Sequence, residues 1–214
     1  MKNKSNRDLL LNGSIVKAIL TLAVPVVINS FLQTMYNLTD TYWLGKLGTE
    51  ELAAINLVTP VQNIIINFGS GITVAGSVLI SQYLGAKRDE DARSMANQIF
   101  SCALIFSIVC AVLCAVATPG IVTWLGAQGR TWECGKTYLQ LVILDMPFLY
   151  TVNMYTAINQ AQGDTVRPML LNLAGITLNL ILDPVLIFGF GMGVRGAALA
   201  TVFSQGLSAA WVLA

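Results

Sequence analysis

Long apolar runs alternate along the chain with short segments rich in glycine and charged residues. A membrane helix needs about 20 mostly apolar residues, and six runs reach that length. These runs cover residues of about 15–44, 52–82, 94–118, 136–161, 168–190 and 196–214. The pattern therefore predicts an all-α integral membrane protein, a six-transmembrane-helix bundle that follows a polar N-terminal segment, residues 1–14.

The composition supports a membrane protein. Of the 214 residues, 55% are hydrophobic and 11% are charged, whereas a soluble domain carries about 25% charged residues. The net charge of +1 gives no broad field that would attract nucleic acid. We therefore expect a lipid bilayer around the chain and no nucleic-acid partner. The sequence shows no nucleophile–base pair, metal-ligand set or phosphate-binding loop, so we expect neither an enzyme nor a bound cofactor.

The distribution of lysine and arginine predicts the orientation, because cytoplasmic loops of membrane proteins carry an excess of these residues. With the N-terminus in the cytoplasm, eight basic residues lie inside: Lys2, Lys4, Arg7, Lys17, Lys87, Arg88, Arg93 and Arg167. Four lie outside: Lys46, Arg130, Lys136 and Arg195. We therefore expect both termini in the cytoplasm. The sixth run reaches Ala214 without a polar flank, so we also expect the sequence to continue or to pair with another copy.

Oxygen-bearing side chains from three predicted spans lie at one depth in the outer half of the membrane. Asp40 is in the first span, Asp183 in the fifth and Thr201 in the sixth. Each lies about 7–9 Å from the outer end of its span at 1.5 Å per residue. Asn179 lies one turn before Asp183, on the same helix face. The alternative is that each residue only bonds to a neighbouring helix, but intramembrane carboxylates are costly and are mostly functional.

The chemistry of these four side chains suits a small cation. Two carboxylates, an amide oxygen and a hydroxyl form an all-oxygen set, which predicts Na⁺ as a metal ligand of Asp40, Asn179, Asp183 and Thr201. Two close carboxylates also disfavour joint ionisation, so the same cluster can bind H⁺ instead. Pro184 leaves the carbonyl of Leu180 without its helical donor, which predicts a kink beside the cluster. We expect Na⁺ or H⁺ as a coupling ion.

Further polar residues of the first span are candidates for a substrate cavity. Asn29, Gln33 and Asn37 recur every four residues, and Tyr36 lies beside them. Residues at this spacing share one helix face. They can line a water-filled cavity or bridge neighbouring helices, and the sequence leaves both readings open.

Two residues of the fourth span are also cavity candidates. Asp145, with Pro147 close by, is a third buried acid that can serve as a second proton site or lie near the membrane interface. Met154 can belong to an adaptable wall for flat apolar compounds. The alternative for Met154 is a residue of the hydrophobic core.

Four stretches of the sequence resemble the MATE family of multidrug and toxin extrusion transporters, most closely its NorM and DinF-like branches. They are VPVVINSFLQTMYNLTDTYWLGKLGTEELAAI, SQYLGAKRDEDARSMANQ, INQAQGDTVRPM and NLAGITLNLILDPVLIFGFGMGVRGAALATVFSQ. The resemblance implies two six-helix lobes related by a pseudo-twofold axis, with a cavity between them. It implies a secondary active exporter in the bacterial plasma membrane that exchanges Na⁺ or H⁺ for cationic amphipathic compounds.

The family's motif residues fall on the same cluster. The resemblance implies a cation-binding role for Asp40 in D-T-x-x-x-G, for Asn179 and Asp183 in N-x-x-x-D-P, and for Thr201 in A-L-A-T. Gln33 matches a polar position near the family's cavity.

The chain departs from the family in length, because it matches only the N-terminal six-helix half. We therefore expect it either to work with a second six-helix lobe or to act as a homodimer, whose twofold axis would replace the pseudo-twofold of the family. Two alternatives are a lipid-linked oligosaccharide flippase and a non-transporting membrane scaffold or partner subunit. A flippase needs cationic residues inside its cavity, whereas no lysine or arginine lies deep inside a predicted span.

Overall fold

The computed structural model describes residues 14–213. Most of the predicted cytoplasmic segment 1–14, and the final residue of the sixth predicted span, lie outside the described residues. The helices are α1 Ile15–Gly45, α2 Thr49–Gly85, α3 Asp89–Trp124, α4 Gly129–Ile143, α5 Met146–Ala161, α6 Val166–Pro184 and α7 Val194–Leu213, with a π-helical turn Val185–Gly189 between α6 and α7.

Five of the segments are long and apolar enough to cross a membrane: α1, α2, α3, α6 with its π-helical turn, and α7. Helices α4 and α5 pass the same test as one span that is bent by 46°. Residues 14–213 therefore form the predicted all-α bundle with up to six spans, and the fold-class prediction is confirmed.

The fourth span differs from the continuous helix that the sequence predicts over residues 136–161. It begins earlier, at Gly129, and it breaks between Ile143 and Met146. Pro147 has no N–H, so the carbonyl of Ile143 loses the donor that a continuous helix would supply. The amide of Asp145 turns back to the carbonyl of Val142 at 3.0 Å and closes the last turn of α4.

The third span is longer than predicted. The sequence predicts an end at Thr118-Pro119-Gly120, yet α3 continues through Pro119 to Trp124. The Thr118 hydroxyl donates to the carbonyl of Cys114 at 2.7 Å, and the Thr123 hydroxyl donates to that of Pro119 at 2.9 Å. Membrane helices tolerate proline where hydroxyl side chains bond to nearby backbone groups. Only residues 125–128 remain as the connection to α4.

Small residues allow the helices to approach closely. The Tyr150 ring of α5 lies directly against Gly69 of α2, and its hydroxyl donates to the carbonyl of Ile65 at 3.0 Å. Gly196 of α7 faces the backbone of the π-helical turn, and a Cβ at this position would lie 2.7 Å from the carbonyl carbon of Leu186. These contacts fix α5 on α2, and α7 on the end of α6.

Helix α1 lies at the edge of the bundle. Of its 31 residues, only Pro25 and Leu44 are buried. It packs mainly against α6 and touches α7 over a short stretch. Two of its polar residues reach neighbouring helices: Asn29 bonds to Asn172 of α6, and Tyr36 lies beside Thr201 of α7.

Candidate functional site

The structure brings three of the predicted cation-binding residues together at the contact between α6 and α7. With its amide oriented to match its neighbours, Asn179 donates through Nδ2 to Oδ2 of Asp183 at 3.0 Å. The Oδ1 atom of Asn179 accepts the backbone N–H of Thr201 at 3.2 Å. Asp183 has no exposed surface and Asn179 is 2% exposed, so both polar groups are fully inside the lobe.

Helix α1 supplies the opposite side of this site. The Tyr36 and Thr201 hydroxyls lie 3.5 Å apart. Since the Thr201 hydroxyl donates to the carbonyl of Ala197 at 3.2 Å, the phenol of Tyr36 is the donor in this contact. Asp40 is half-buried and lies within electrostatic range of both Asp183 and Tyr36, but the hydrogen bonds above do not include it.

One oxygen of the site has no protein partner. Oδ1 of Asp183 is buried and accepts no hydrogen bond from the described residues. A buried carboxylate oxygen without a partner carries a large desolvation cost. A carboxylate oxygen of this kind near a second carboxylate, here that of Asp40, has the chemistry to take a monovalent cation or a proton. Among residues 14–213, no three Asp, Glu, Cys or His side chains gather as a metal cluster.

Pro184 ends the regular part of α6 immediately after Asp183. The chain continues as the π-helical turn, in which the amide of Phe190 donates to the carbonyl of Val185 at 2.9 Å. The sequence predicts a kink at Pro184, and the structure has a change of helix type there. π-Helical turns are rare and occur frequently at functional sites.

A small polar cleft runs beside the site between α1, α6 and α7. It has a volume of about 40 Å³, and its lining includes Gln33, Tyr36, Asn172, Asn179 and Thr201. Binding sites for drug-sized ligands have volumes of about 300–1,000 Å³. The cleft therefore has room for an ion with water, but not for an amphipathic compound.

The other polar residues of α1 divide between the two readings that the sequence left open. Asn29 bridges helices, because its Oδ1 accepts a hydrogen bond from Nδ2 of Asn172 at 3.1 Å. Gln33 lines the cleft, whereas Asn37 is exposed outside it. We did not predict Asn172, although it lies seven residues before Asn179. That spacing of two helical turns places both on one face of α6 and would have identified it.

Met154 does not line the cleft. It is 1% exposed and packs in the hydrophobic core with Tyr150 and Ile143. The prediction of a cavity residue is corrected here in favour of the alternative, a core residue.

Tyr138 of α4 is a site residue that sequence reasoning missed. Its buried phenol lies within electrostatic range of Tyr36 and of the carboxylates of Asp40, Asp183 and Asp145. Helical spacing does not link it to Asp145, because Asp145 lies beyond the end of α4, so the sequence held no local signal for it. Asp145 itself lies at the break after α4, apart from the hydrogen bonds of the site, and is 5% exposed.

Comparisons with known proteins identify the family of the chain. The MatE family model matches residues 25–185. The multidrug export protein MepA of Staphylococcus saprophyticus is 31% identical over 194 residues, which cover 90% of this chain and 43% of MepA. The MepA of Staphylococcus haemolyticus is 30% identical over 197 residues, 92% of this chain and 44% of that protein. The chain therefore spans less than half the length of these curated relatives.

Solved structures give the same result for the fold. A MOP superfamily transporter from Pyrococcus furiosus superposes with a TM-score of 0.90 at 33% identity over 95% of this chain and 45% of that one. A MATE transporter in the bent conformation superposes with a TM-score of 0.89 at 32% identity over 99% of this chain and 46% of that one. The family model, the relatives and the fold agree: the chain belongs to the MATE family of membrane transporters and spans roughly the N-terminal half of its members.

Proposed function

We propose that this chain is the cation-coupling lobe of a multidrug exporter in the bacterial plasma membrane, with both termini in the cytoplasm. The exporter exchanges Na⁺ or H⁺ for cationic amphipathic compounds. The observation that carries the proposal is the unpartnered Oδ1 of the fully buried Asp183, beside Asn179 and within electrostatic range of Asp40. Relatives named as multidrug export proteins support the substrate class.

The geometry supports a cycle in which cation binding changes how α1 packs on α6. Asp40 is on α1 and Asp183 is on α6, so a cation between them reduces the repulsion of two carboxylates on facing helices. Asn179 and the backbone of Thr201 hold Asp183 in place through the bonds at 3.0 and 3.2 Å. When the carboxylates are neutralised, α1 can move closer to α6 and change the surface that it presents to a drug.

Coupling between the ion and the drug is reciprocal. If cation binding weakens drug binding by some factor, drug binding must weaken cation binding by the same factor. Such exchange needs two arrangements of the lobe, and relative motion of two bundles around a central site is the usual form of alternating access.

The substrate must bind outside the cleft, because about 40 Å³ is too small for a drug. We expect its binding surface to form between this lobe and a second six-helix lobe, or between two copies of this chain. Large apolar side chains on α1 and α2 face outward and offer such a surface, among them Val27 at 66%, Phe31 at 61% and Phe68 at 74% exposed. An isologous dimer would place the same surface on both sides of the axis.

The test is efflux of a fluorescent cationic dye from proteoliposomes that contain the 214-residue chain. Na⁺ and pH gradients are imposed separately, and Asp183→Asn is compared with wild type. Asp91→Asn is the matched control, because Asp91 is a solvent-accessible acid at the start of α3 whose one ion pair among the described residues is with Arg88, at 2.7 Å. We expect gradient-driven efflux that Asp183→Asn abolishes and Asp91→Asn retains.

The gradient that drives efflux identifies the coupling ion. If the wild-type chain is silent, the assay is repeated with a second lobe supplied by a co-reconstituted C-terminal half of a MATE transporter. Efflux that survives Asp183→Asn in either format would contradict the coupling role. A chain that is folded but inactive in both formats would favour a membrane scaffold or partner subunit.

A further inference from the structure

The break between α4 and α5 holds an acid that the proposed cation site does not use. Asp145 lies between the end of α4 at Ile143 and the start of α5 at Met146. It is 5% exposed, and its Oδ1 is buried without a hydrogen-bond partner among the described residues. Asp183 of α6 likewise has a buried Oδ1 without a hydrogen-bond partner among the described residues.

The ordinary structural role for an aspartate at this position is absent. An aspartate before a helix usually caps it by accepting a backbone N–H of the first turn. The Asp145 side chain makes no such bond. Instead its backbone carbonyl accepts hydrogen bonds from the amides of Phe148 at 3.0 Å and Leu149 at 2.9 Å. Pro147 has no N–H and donates none.

The surroundings of Asp145 do not compensate a negative charge. Its neighbours Ile143 and Met146 are apolar and almost fully buried, at 0% and 2% exposed. None of the ion pairs found within residues 14–213 includes Asp145.

The titratable groups within electrostatic range of Asp145 are Tyr36 on α1 and Tyr138 on α4. Both are neutral phenols, so neither supplies a positive charge. A buried carboxylate with no cationic partner takes up a proton more readily than it stays charged.

We propose that Asp145 is a second proton-binding site of this lobe, separate from the Asp40–Asp183 site and located at the bend between α4 and α5. A proton fits better than a metal ion, because hard metal cations take about six or more oxygen ligands. One carboxyl group and the carbonyl that Pro147 leaves free at Ile143 supply no more than three. A proton removes the buried charge and gives the carboxyl group a donor of its own.

Tyr138 gives this second site a connection to the first. It lies in the second half of α4, seven residues before Asp145 in the chain. Its phenol is within electrostatic range of Asp145, Asp40 and Asp183. Protonation of Asp145 therefore changes the field at the cation site without contact between the two.

The experiment is an infrared pH titration of the purified chain in lipid bilayers. A protonated carboxyl group has a C=O stretching band that a carboxylate lacks. We expect the difference spectrum between wild type and Asp145→Asn to contain such a band at neutral pH, with one proton fewer bound per chain in the variant. Asp91→Asn, the same change at a solvent-accessible acid, is the control and should remove no protonated band at neutral pH.

Two further variants make the result decisive. Asp145→Glu keeps a carboxyl group at the bend and should keep a shifted band, which allows the comparison even if Asp145→Asn does not fold. Asp183→Asn should leave the Asp145 band in place, so failure of the proposed ion coupling would not remove it. A wild-type spectrum in which Asp145 contributes only a carboxylate band at neutral pH, in folded protein, would overturn the proposal.

Discussion

Replacement of Gly196 by alanine tests whether the contact between α7 and the π-helical turn is as close as the structure shows. The added Cβ would lie 2.7 Å from the carbonyl carbon and oxygen of Leu186 and 2.8 Å from the amide nitrogen of Ile187. All three are backbone atoms, so no side-chain rotation relieves the clash. The two segments must move apart, because real Cβ contacts essentially never fall below 3.0 Å.

Insertion of an extra methyl group into a packed contact typically costs about 1–3 kcal/mol. For a domain of this size, each kcal/mol lowers the melting temperature by about 2–4 °C. We therefore expect Gly196→Ala to melt about 2–12 °C below wild type. The displacement also reaches the site, because Thr201 lies five residues along α7 and its N–H bonds to Asn179 at 3.2 Å. Stabilisation by added Na⁺ or H⁺ should therefore weaken as well.

The assay is thermal unfolding of the detergent-purified chain with and without the cation. Gly71→Ala is the matched control, because Gly71 is also in a membrane helix but a Cβ there meets nothing within 4 Å. Alanine is favoured over glycine in a helix by about 0.5–1 kcal/mol. Gly71→Ala should therefore be neutral or slightly stabilising. A Gly196→Ala variant as stable as Gly71→Ala would refute the close backbone contact.

Three further substitutions test individual side chains. Asp183→Asn should abolish the thermal stabilisation of the chain by the coupling cation. For wild type this stabilisation amounts to about 2.7 kcal/mol at a cation concentration of 100 Kd. A variant whose melting temperature still rises with the cation would contradict the proposed site. Tyr150→Phe leaves the ring but removes its bond to the carbonyl of Ile65; we expect a loss of about 0.5–1.5 kcal/mol in thermal unfolding, and no change would mean that the bond is not formed. A double-mutant cycle of Asn29→Leu and Asn172→Leu should give a coupling energy of about 0.6 kcal/mol, the average for hydrogen bonds between membrane helices, and strictly additive effects would exclude the bond at 3.1 Å.

The sequence was sufficient to predict which polar residues of three helices lie near one another. Asp40, Asp183 and Thr201 lie at equal depth in their spans, and depth follows from a fixed rise of 1.5 Å per residue. The structure places these residues on facing helices, with Asn179 between Asp183 and Thr201. Which faces meet depends on the rotation of each helix about its axis, and the apolar pattern is weak here because lipid-facing and core-facing positions are both hydrophobic.

The break in the fourth span was harder to predict. The presence of Pro147 alone does not predict a helix break, since Pro119 lies within a continuous α3 and Pro25 within a continuous α1. A proline in a membrane helix leads to a break only when neighbouring groups fail to compensate for the lost bond. That compensation depends on tertiary contacts. The position of Tyr138 beside the acids was missed for the same reason.

The two sides of the cation site differ in how firmly the rest of the protein holds them. Helix α7 buries eight of its residues, from Val194 to Ala209, whereas α1 buries only Pro25 and Leu44. Yet α1 carries Tyr36 and Asp40, two residues of the site. Local opening of a protein is easiest where few apolar contacts are lost. A cation that binds both sides therefore reduces the mobility of α1 more than that of α6 or α7, and its release restores that mobility.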